Sequence, residues 1–275
     1  MGPTSHDVVA AVRRATRTRR VGHAGTLDPF AQGLLPVLVG RATRLAPYLL
    51  ALPKTYDGVL RLGVRTDTDD LDGTVIGISG TGDDVSDADL DAAMTELTGT
   101  VEQTPPRYSA KKVRGTPAYR RVRRGESVTL EPRVVRIDRF VRTGRSGPDV
   151  AFTTTVGSGT YVRALARDVG DRLGCGAHLT ALRRTAVGPF RVDCAVPLAT
   201  VQNGEATILP PLAAIPHLPT VPLSPAEAEV VRHGRALPAP GDATGSAALV
   251  ADGVLVAVAE AAEGTWRPRV VLDAI

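Results

Sequence analysis

An uncharged run at 206–226 holds six prolines and constrains the architecture of the chain more than any other segment. The run is long enough to cross a membrane, but interior prolines remove backbone donors and break helices. It is therefore predicted to belong to a linker and not to a transmembrane span. The expected domains are a large one at 1–198, a linker at 199–219 and a small one at 220–275. The small domain is short for a chain that must form a stable hydrophobic core on its own.

Charge is distributed unevenly along the 275 residues, although the net charge is only +4. Residues 66–99 contain ten acidic residues and no basic ones, whereas residues 100–145 contain 13 basic and four acidic ones. Arginine makes up 30 of the 33 basic residues, which suits bidentate phosphate binding, but a genome rich in G and C gives the same bias without function. The positions of the arginines are therefore more informative than their number.

The cysteines and histidines give no pattern for a disulfide framework or a metal site. Cys175 and Cys194 lack CxxC spacing, so a reducing cytoplasm is the expected compartment. The five histidines show no HxxxH or HExxH spacing, and no metal is expected. The charged start MGPTSHDVVAAVRR does not resemble a secretory signal.

Local patterns predict a mixture of helices and strands. Ser5 is predicted to cap a first helix, and Ser86 a second one that Gly99 ends. The apolar spacing after the GSGT turn predicts a third helix over 162–173. A further helix is expected at 224–233. Alternating residues predict strands at 59–64, 74–78, 127–130, 134–141, 150–156, 190–196, 247–250, 254–258 and 270–272.

The segment GHAGTLDP, at 22–29, places Asp28 in a loop shaped by two glycines and a proline. Pattern alone favours a turn-forming aspartate that bonds its own backbone. A nucleophilic carboxylate would need a cation that keeps it ionised and an aromatic surface for a planar substrate. Arg163 and Tyr56 could supply them from two other short motifs, GTYVRALARD and KTY.

Four blocks of sequence carry a resemblance to a known family. They are GHAGTLDPFAQGLLPVLVGRATRL, KTYDGVLRLGVRTDTDDLDG, YSAKKVRGTPAYRRVRRGE and GTYVRALARDVGDRLGCGAHLTALRRT. In this order and at these spacings the chain resembles the TruB family of bacterial tRNA pseudouridine synthases, strongly over residues 2 to about 198 and weakly beyond.

The resemblance implies roles for five residues. Asp28 would attack the target uridine, at C1′ of the sugar or at the ring, and Arg163 would pair with it. Tyr56 would stack on the base and is a candidate general base; a core aromatic is the alternative. His23 would help to extrude the nucleotide, unless it only makes a structural hydrogen bond. Asp70 would belong to the same electrostatic network.

The basic segment at 100–127 is expected to be an insertion that binds folded RNA, since its charges alternate with aromatic residues. A solvated charged face is the alternative. The candidate contacts are Arg107, Tyr108, Lys111, Lys112, Arg120 and Arg121.

By resemblance the fold is α/β, with a mixed, largely antiparallel sheet surrounded by helices, followed by a small β-rich, PUA-like domain. The implied activity is isomerisation of uridine-55 in the T-loop of tRNA to pseudouridine, by a monomer without cofactor, membrane or obligate protein partner. A non-catalytic RNA-binding protein or tRNA chaperone on the same scaffold is the alternative.

Two features depart from this picture. DLDGTV, at 70–75, matches the motif of magnesium-dependent phosphatases with an aspartate nucleophile, but the preceding RTDTD is not the apolar strand which that motif requires. Family members also begin with a strand and a KPxG motif, whereas this sequence starts at MGPTSHDVV. A form of the chain with that strand is expected to be more stable or more active.

Overall fold

The structure is a computed structural model that describes residues 2–80, 82–109, 111–113, 115–122 and 124–272, without the side chains of Lys112, Val113, Pro117 and Tyr119. Within these residues the α-helices are α1 (Ser5–Thr16), α2 (Ala46–Leu50), α3 (Asp87–Glu96), α4 (Ala118–Val122), α5 (Val162–Arg172), α6 (Leu198–Gln202) and α7 (Pro225–Arg232). Short 3-10 helices occupy Gly40–Leu45, Val192–Cys194 and Pro211–Ala214.

The strands are short in the amino-terminal part and long in the centre of the chain. Those before the basic segment are β1 (Val21–His23), β2 (Gln32–Gly33), β3 (Val37–Val39), β4 (Lys54–Leu62), β5 (Val64–Thr66), β6 (Val75–Ile78) and β7 (Gly99–Gln103). Those that follow are β8 (Lys112–Val113), β9 (Thr116–Pro117), β10 (Arg133–Ser146), β11 (Asp149–Val156), β12 (Ala177–Val187), β13 (Phe190–Arg191), β14 (Thr220–Pro222), β15 (Leu237–Pro238), β16 (Ser246–Ala251), β17 (Val254–Ala262) and β18 (Thr265–Val271).

The chain forms two compact units, and the first contains Leu27–Leu34 and Ala51–Cys194. Its main sheet has the strand order β13-β12-β4-β11-β10-β7, and β2 adds to β12. All pairs in this sheet are antiparallel except β12 with β2. Helices α3 and α5 contribute buried apolar side chains to the same core as the sheet, among them Leu90, Leu165 and Val169.

The second unit contains Pro3–Thr26, Leu35–Leu50 and the described residues from Ala195 onward. Its five-stranded sheet has the order β14-β16-β17-β18-β15, with α7 packed on a core that includes Trp266. A separate small cluster joins Val9 and Val12 of α1 to Val201 of α6. The α/β fold and the mixed, largely antiparallel central sheet agree with the prediction, while the predicted domain boundaries stay a prediction.

Several local expectations need correction. The cap of α1 is Thr4 and not Ser5, because Thr4 and Asp7 exchange hydrogen bonds in a capping box. The expected strand at 59–64 is divided at Gly63, whose φ is +85°, so that β4 joins the main sheet while β5 pairs with β6. Residues 127–130 form no strand, and α3 ends at Glu96 before Gly99 begins β7. Residues 192–194 are a 3-10 helix within the strand expected at 190–196.

The structure also bears on the proline-rich run. Pro211–Ala214 forms a 3-10 helix with proline at its first turn, where the missing backbone donor costs nothing. In the part of the chain that the structure describes, no helix is both long and apolar enough to span a membrane.

Candidate active site

Asp28 lies in the loop that leads to β2, in the first unit. The Asp28 carbonyl accepts a hydrogen bond from the amide of Ala31 at 2.9 Å, which closes a turn over Pro29 and Phe30. A residue before proline favours extended backbone, so the sequence itself restricts Asp28. One-third of the Asp28 side chain is exposed (33%), and its carboxylate is therefore accessible to a substrate.

Arg163 is the second residue of α5, and its side chain is only 6% exposed. Its Nε donates to Oδ2 of Asp28 at 2.9 Å, and its Nη2 donates to Oδ1 at 3.1 Å. This planar, two-point geometry fixes the rotamer of the carboxylate as well as balancing its charge. The structure thus brings together two residues that lie 135 positions apart in the sequence.

The other donors of Arg163 also face oxygen atoms. Nη1 donates to the carbonyl of Thr68 at 2.8 Å and lies 3.3 Å from Oδ2 of Asp70, and Nη2 donates to the carbonyl of Tyr108 at 3.1 Å. A guanidinium has five N–H groups; four of them donate to these carbonyls and to Asp28, and the Asp70 carboxylate lies next to the remaining one. Such complete pairing offsets the cost of burying the charge and leaves the side chain one orientation.

Asp70 lies beside Arg163, in agreement with the electrostatic network that the resemblance implied, and its side chain is 8% exposed. Its Oδ1 accepts hydrogen bonds from the hydroxyl of Thr68 at 2.5 Å and from the amide of Asp72 at 3.1 Å. Burial raises the pKa of Asp70, and the hydrogen bond from Thr68 and the charge of Arg163 oppose that shift. Two carboxylates, Asp28 and Asp70, therefore share one buried cation.

Tyr56 lies on β4, where its half-buried ring packs against the core of the first unit. Burial raises the pKa of its hydroxyl, and Arg184, which is hydrogen-bonded to it, opposes the shift. The negative charge of Asp28 contributes a smaller increase to the same pKa, so the two groups act on one another electrostatically. The three expected catalytic residues thus form one electrostatically coupled group.

A second charged cluster next to the site was not predicted. Arg167, one helical turn after Arg163, contacts Asp69 at 3.1 Å and Asp168 at 2.7 Å and donates to the carbonyl of Thr104. Burial raises the pKa of Asp69 to about 6, against the opposing charge of Arg167. Asp69 has a φ of +61°, which aspartate tolerates better than most residues. The acidic run TDTDD gave no signal to distinguish this aspartate from its neighbours.

The remaining predicted residues lie in different environments. His23 is on β1 of the second unit, opposite Val37. Arg107 and Arg120 are exposed, and Tyr108 places its hydroxyl 3.4 Å from Asp67. Lys111 donates to the carbonyl of Glu131, and Arg121 pairs with Glu126 at 2.6 Å. For Lys112 the structure describes only the backbone, in β8. Two further arginines of the basic segment, Arg114 and Arg123, lie outside the described residues.

The phosphatase-like DLDGTV lies in the turn between β5 and β6. The Asp70 carboxylate contacts Thr68 and Arg163, and Asp72 is exposed. Among the side chains for which the structure gives positions, no three His, Cys, Asp or Glu residues come together as a metal site. The motif therefore has the geometry of an acidic hairpin turn.

Family models match nearly the whole chain. "TruB family pseudouridylate synthase (N terminal domain)" matches residues 13–162, and "tRNA pseudouridylate synthase B C-terminal domain" matches residues 163–208. "tRNA Pseudouridine synthase II, C terminal" matches residues 218–273. The first two models join between Val162 and Arg163, at the start of α5.

Similar proteins give the same result. A protein of Thermobifida fusca (strain YX) named "tRNA pseudouridine synthase B" is 47% identical over 280 residues, 98% of this chain and 94% of that protein. A protein of the same name from Geobacter sulfurreducens is 42% identical and covers 97% of this chain and 92% of its own length. The structure resembles that of an archaeal box H/ACA sRNP Nop10-Cbf5 complex, with a TM-score of 0.74, 26% identity, and coverage of 99% of this chain and 83% of that one.

The matched regions include the Asp28 loop, the Tyr56 strand and the Arg163 helix, so the geometry described above falls within the shared part of the family. With identities above 40% over nearly the full length, the relationship extends well beyond a shared fold. The chain therefore belongs to the TruB family of pseudouridylate synthases, and it is an isomerase.

Proposed function

We propose that this enzyme converts uridine-55 in the T-loop of tRNA to pseudouridine, with Asp28 as the nucleophile. The observation that carries this proposal is the two-point pairing of Arg163 with an Asp28 carboxylate that stays one-third exposed. Arg163 uses one lone pair on each carboxylate oxygen, which leaves further lone pairs directed at a substrate. The curated relatives are named as tRNA pseudouridine synthases, which supports tRNA as the substrate class.

The reaction is an isomerisation in which atoms balance without a co-substrate. The bond from N1 of uracil to C1′ breaks, Asp28 holds the fragment to which it has added, and the base turns until C5 faces C1′. A C5–C1′ bond then forms, the bond between Asp28 and the substrate breaks and returns the carboxylate, the C5 proton leaves, and N1 gains a proton. Attack at C1′ and attack at the ring both fit the position of the carboxylate, because either atom of a flipped nucleotide can approach an exposed side chain.

Tyr56 is proposed to stack on the flipped base. Its raised pKa keeps the hydroxyl protonated at neutral pH, so the ring acts first as an apolar platform and hydrogen-bond partner. Removal of the C5 proton by Tyr56 would require its phenolate form. The nearby cation Arg184 favours that form.

The RNA is proposed to lie along the basic segment at 100–127, with His23 assisting extrusion of the nucleotide. The exposed Arg107 and Arg120 are the best-placed phosphate contacts. Tyr108 links this segment to the site, since its carbonyl accepts a hydrogen bond from Arg163. We further propose that the enzyme acts as a monomer in the cytoplasm, where tRNA is its substrate.

The deciding experiment uses unmodified tRNA transcripts and the Asp28→Asn enzyme. Asn keeps the shape of the side chain but is a poor nucleophile, so isomerisation of uridine-55 should be lost while tRNA binding persists. Asp57→Asn, an exposed aspartate on β4, is the matched control and should retain activity. Activity of Asp28→Asn on uridine-55 would refute the mechanism, and pseudouridine at another position only would refute the proposed target.

A further inference from the structure

Arg184 on β12 is the largest side chain among the fully buried ones in the described part of the chain, with 1% of the residue exposed. Arginine stays charged in proteins, and a buried charge is costly unless its donors are paired. It lies beside Arg183, which is exposed on the same strand. The burial of Arg184 therefore calls for a role beyond general surface charge.

One set of contacts ties Arg184 to the end of the Asp28 loop. Its Nε donates to the carbonyl of Leu34 at 2.7 Å, and its own carbonyl accepts from the amide of Leu34 at 2.9 Å. Gly33 pairs with Arg184 in parallel, and a Cβ at Gly33 would lie 2.2 Å from the Arg184 carbonyl oxygen. The backbone and the side chain of Arg184 thus both hold the loop at Leu34, six residues after Asp28.

A second contact ties Arg184 to Tyr56. The two residues lie opposite each other where β12 pairs with β4, and the guanidinium is hydrogen-bonded to the tyrosine hydroxyl. The charged groups that affect this hydroxyl are Arg184 and Asp28, and Lys54 lies two residues before it on β4. Burial and, to a smaller extent, the charge of Arg184 lower the pKa of Lys54 to about 8, so the charge of Arg184 acts on Lys54 as well as on Tyr56.

We propose that Arg184 is a positioning residue for the isomerisation: its buried guanidinium joins the loop of Asp28 to the hydroxyl of Tyr56 and so sets the spacing between nucleophile and base platform. This inference rests on the roles proposed above for Asp28 and Tyr56. Arg163 orients the carboxylate from the helix side, and Arg184 fixes the loop from the sheet side. A planar group with several donors can make both connections at once, which an ammonium on a flexible stem cannot reproduce.

The test compares Arg184→Gln and Arg184→Lys with Arg183→Gln, the exposed neighbour, as control. Single-turnover rates on unmodified tRNA should fall about 100-fold in both Arg184 variants, because a misplacement of about 1 Å has that effect on a reacting pair. The affinity for tRNA should not change. Arg183→Gln should keep the wild-type rate.

The pH dependence and a double-mutant cycle separate positioning from mere stability. Loss of the cation in Arg184→Gln should raise the pKa of Tyr56 further and move the alkaline limb of the pH–rate profile to higher pH, whereas Arg184→Lys should leave it near the wild-type position. In the Tyr56→Phe background, Arg184→Gln should lower the single-turnover rate by a smaller factor than it does in wild type, since the contact with the hydroxyl is already absent.

Each possible outcome of these experiments either supports or refutes the positioning role of Arg184. If Arg184→Gln does not fold, Arg184→Lys carries the test, and a wild-type rate in a folded Arg184→Lys enzyme overturns the proposal. Additive effects with Tyr56→Phe and an unmoved pH profile in Arg184→Gln also overturn it, because they indicate a structural role only. If Asp28→Asn is inactive and the Arg184 variants react at the wild-type rate, this inference alone is refuted. If Asp28→Asn is active, the proposed mechanism on which the inference rests is refuted.

Discussion

Arg163 approaches Asp28 with two parallel hydrogen bonds, from Nε to Oδ2 and from Nη2 to Oδ1, at 2.9 and 3.1 Å. The same guanidinium contacts the carbonyls of Thr68 and Tyr108. Movement of any of these segments would change the orientation of the carboxylate, because all of them share one rigid plane. The catalytic geometry therefore depends on the strand turn and the basic segment as well as on the helix.

Replacing Arg163 by lysine should lower the single-turnover rate about 100-fold and the free energy of unfolding by about 2 kcal/mol. Lysine keeps the charge but has three donors for five oxygen atoms, so buried acceptors lose their partners. Arg172→Lys, an exposed position on the same helix, is the control and should be nearly neutral. Equal rates for the two variants would contradict the orienting role of Arg163.

Gly33→Ala should destabilise the protein by about 3 kcal/mol, since the new Cβ would overlap the Arg184 carbonyl oxygen and force the backbone apart. Gly99 has nearly the same φ, +103° against +101°, but no atom near its Cβ direction. Gly99→Ala should therefore lower the free energy of unfolding only by the strain of a positive φ, about 1 kcal/mol. Urea denaturation of both variants measures the difference, and equal losses would show that the overlap is relieved cheaply.

The stability of the enzyme should depend on the ionisation of Asp69, whose pKa in the folded state is raised from 3.8 to about 6. The folded protein then binds the proton more tightly than the unfolded chain, so the free energy of unfolding falls as pH rises from about 4 to about 6. The difference is at most about 3 kcal/mol. In Asp69→Asn this part of the pH dependence should be lost. Identical curves of unfolding free energy against pH for the variant and the wild type would exclude a contribution from Asp69.

Arg107→Gln should weaken tRNA binding and reduce the slope of log Kd against log salt by about 1, as expected for the loss of one phosphate contact. Arg61→Gln is the control, because Arg61 is also exposed but pairs with Asp149 on the neighbouring strand. Its salt slope should match that of wild type. An unchanged slope for Arg107→Gln would assign the basic segment to a solvated surface instead.

Local signals in the sequence predicted local structure well. Ser86 caps α3 and accepts a hydrogen bond from the amide of Asp89, and the apolar spacing of α5 buries Val162, Leu165 and Val169 as expected. The misplaced cap of α1 has a simple cause, since threonine and serine are adjacent and both cap helices. Only the residue three positions later, Asp7, distinguishes them.

The site was harder to predict where it uses the backbone or buried charge. The pairing of Asp28 with Arg163 could be proposed from the resemblance, but the carbonyls of Thr68 and Tyr108 could not, because their positions depend on tertiary structure. Arg184 was missed for another reason. In the sequence it is one of two adjacent arginines, and nothing there shows that one is buried and the other exposed.

The cluster of Val9, Val12 and Val201 has a consequence for synthesis on the ribosome. The apolar face of α1 is made first, but its partner on α6 emerges only after most of the first unit has been translated. Until then α1 can pack only against Val21 of β1 and Val37 and Val39 of β3, so the part of its apolar face that α6 covers stays exposed. An isolated helix of this length is marginal in water. Nascent chains halted before Val201 should therefore show α1 accessible to proteases and bound by chaperones, whereas chains halted well beyond it should not.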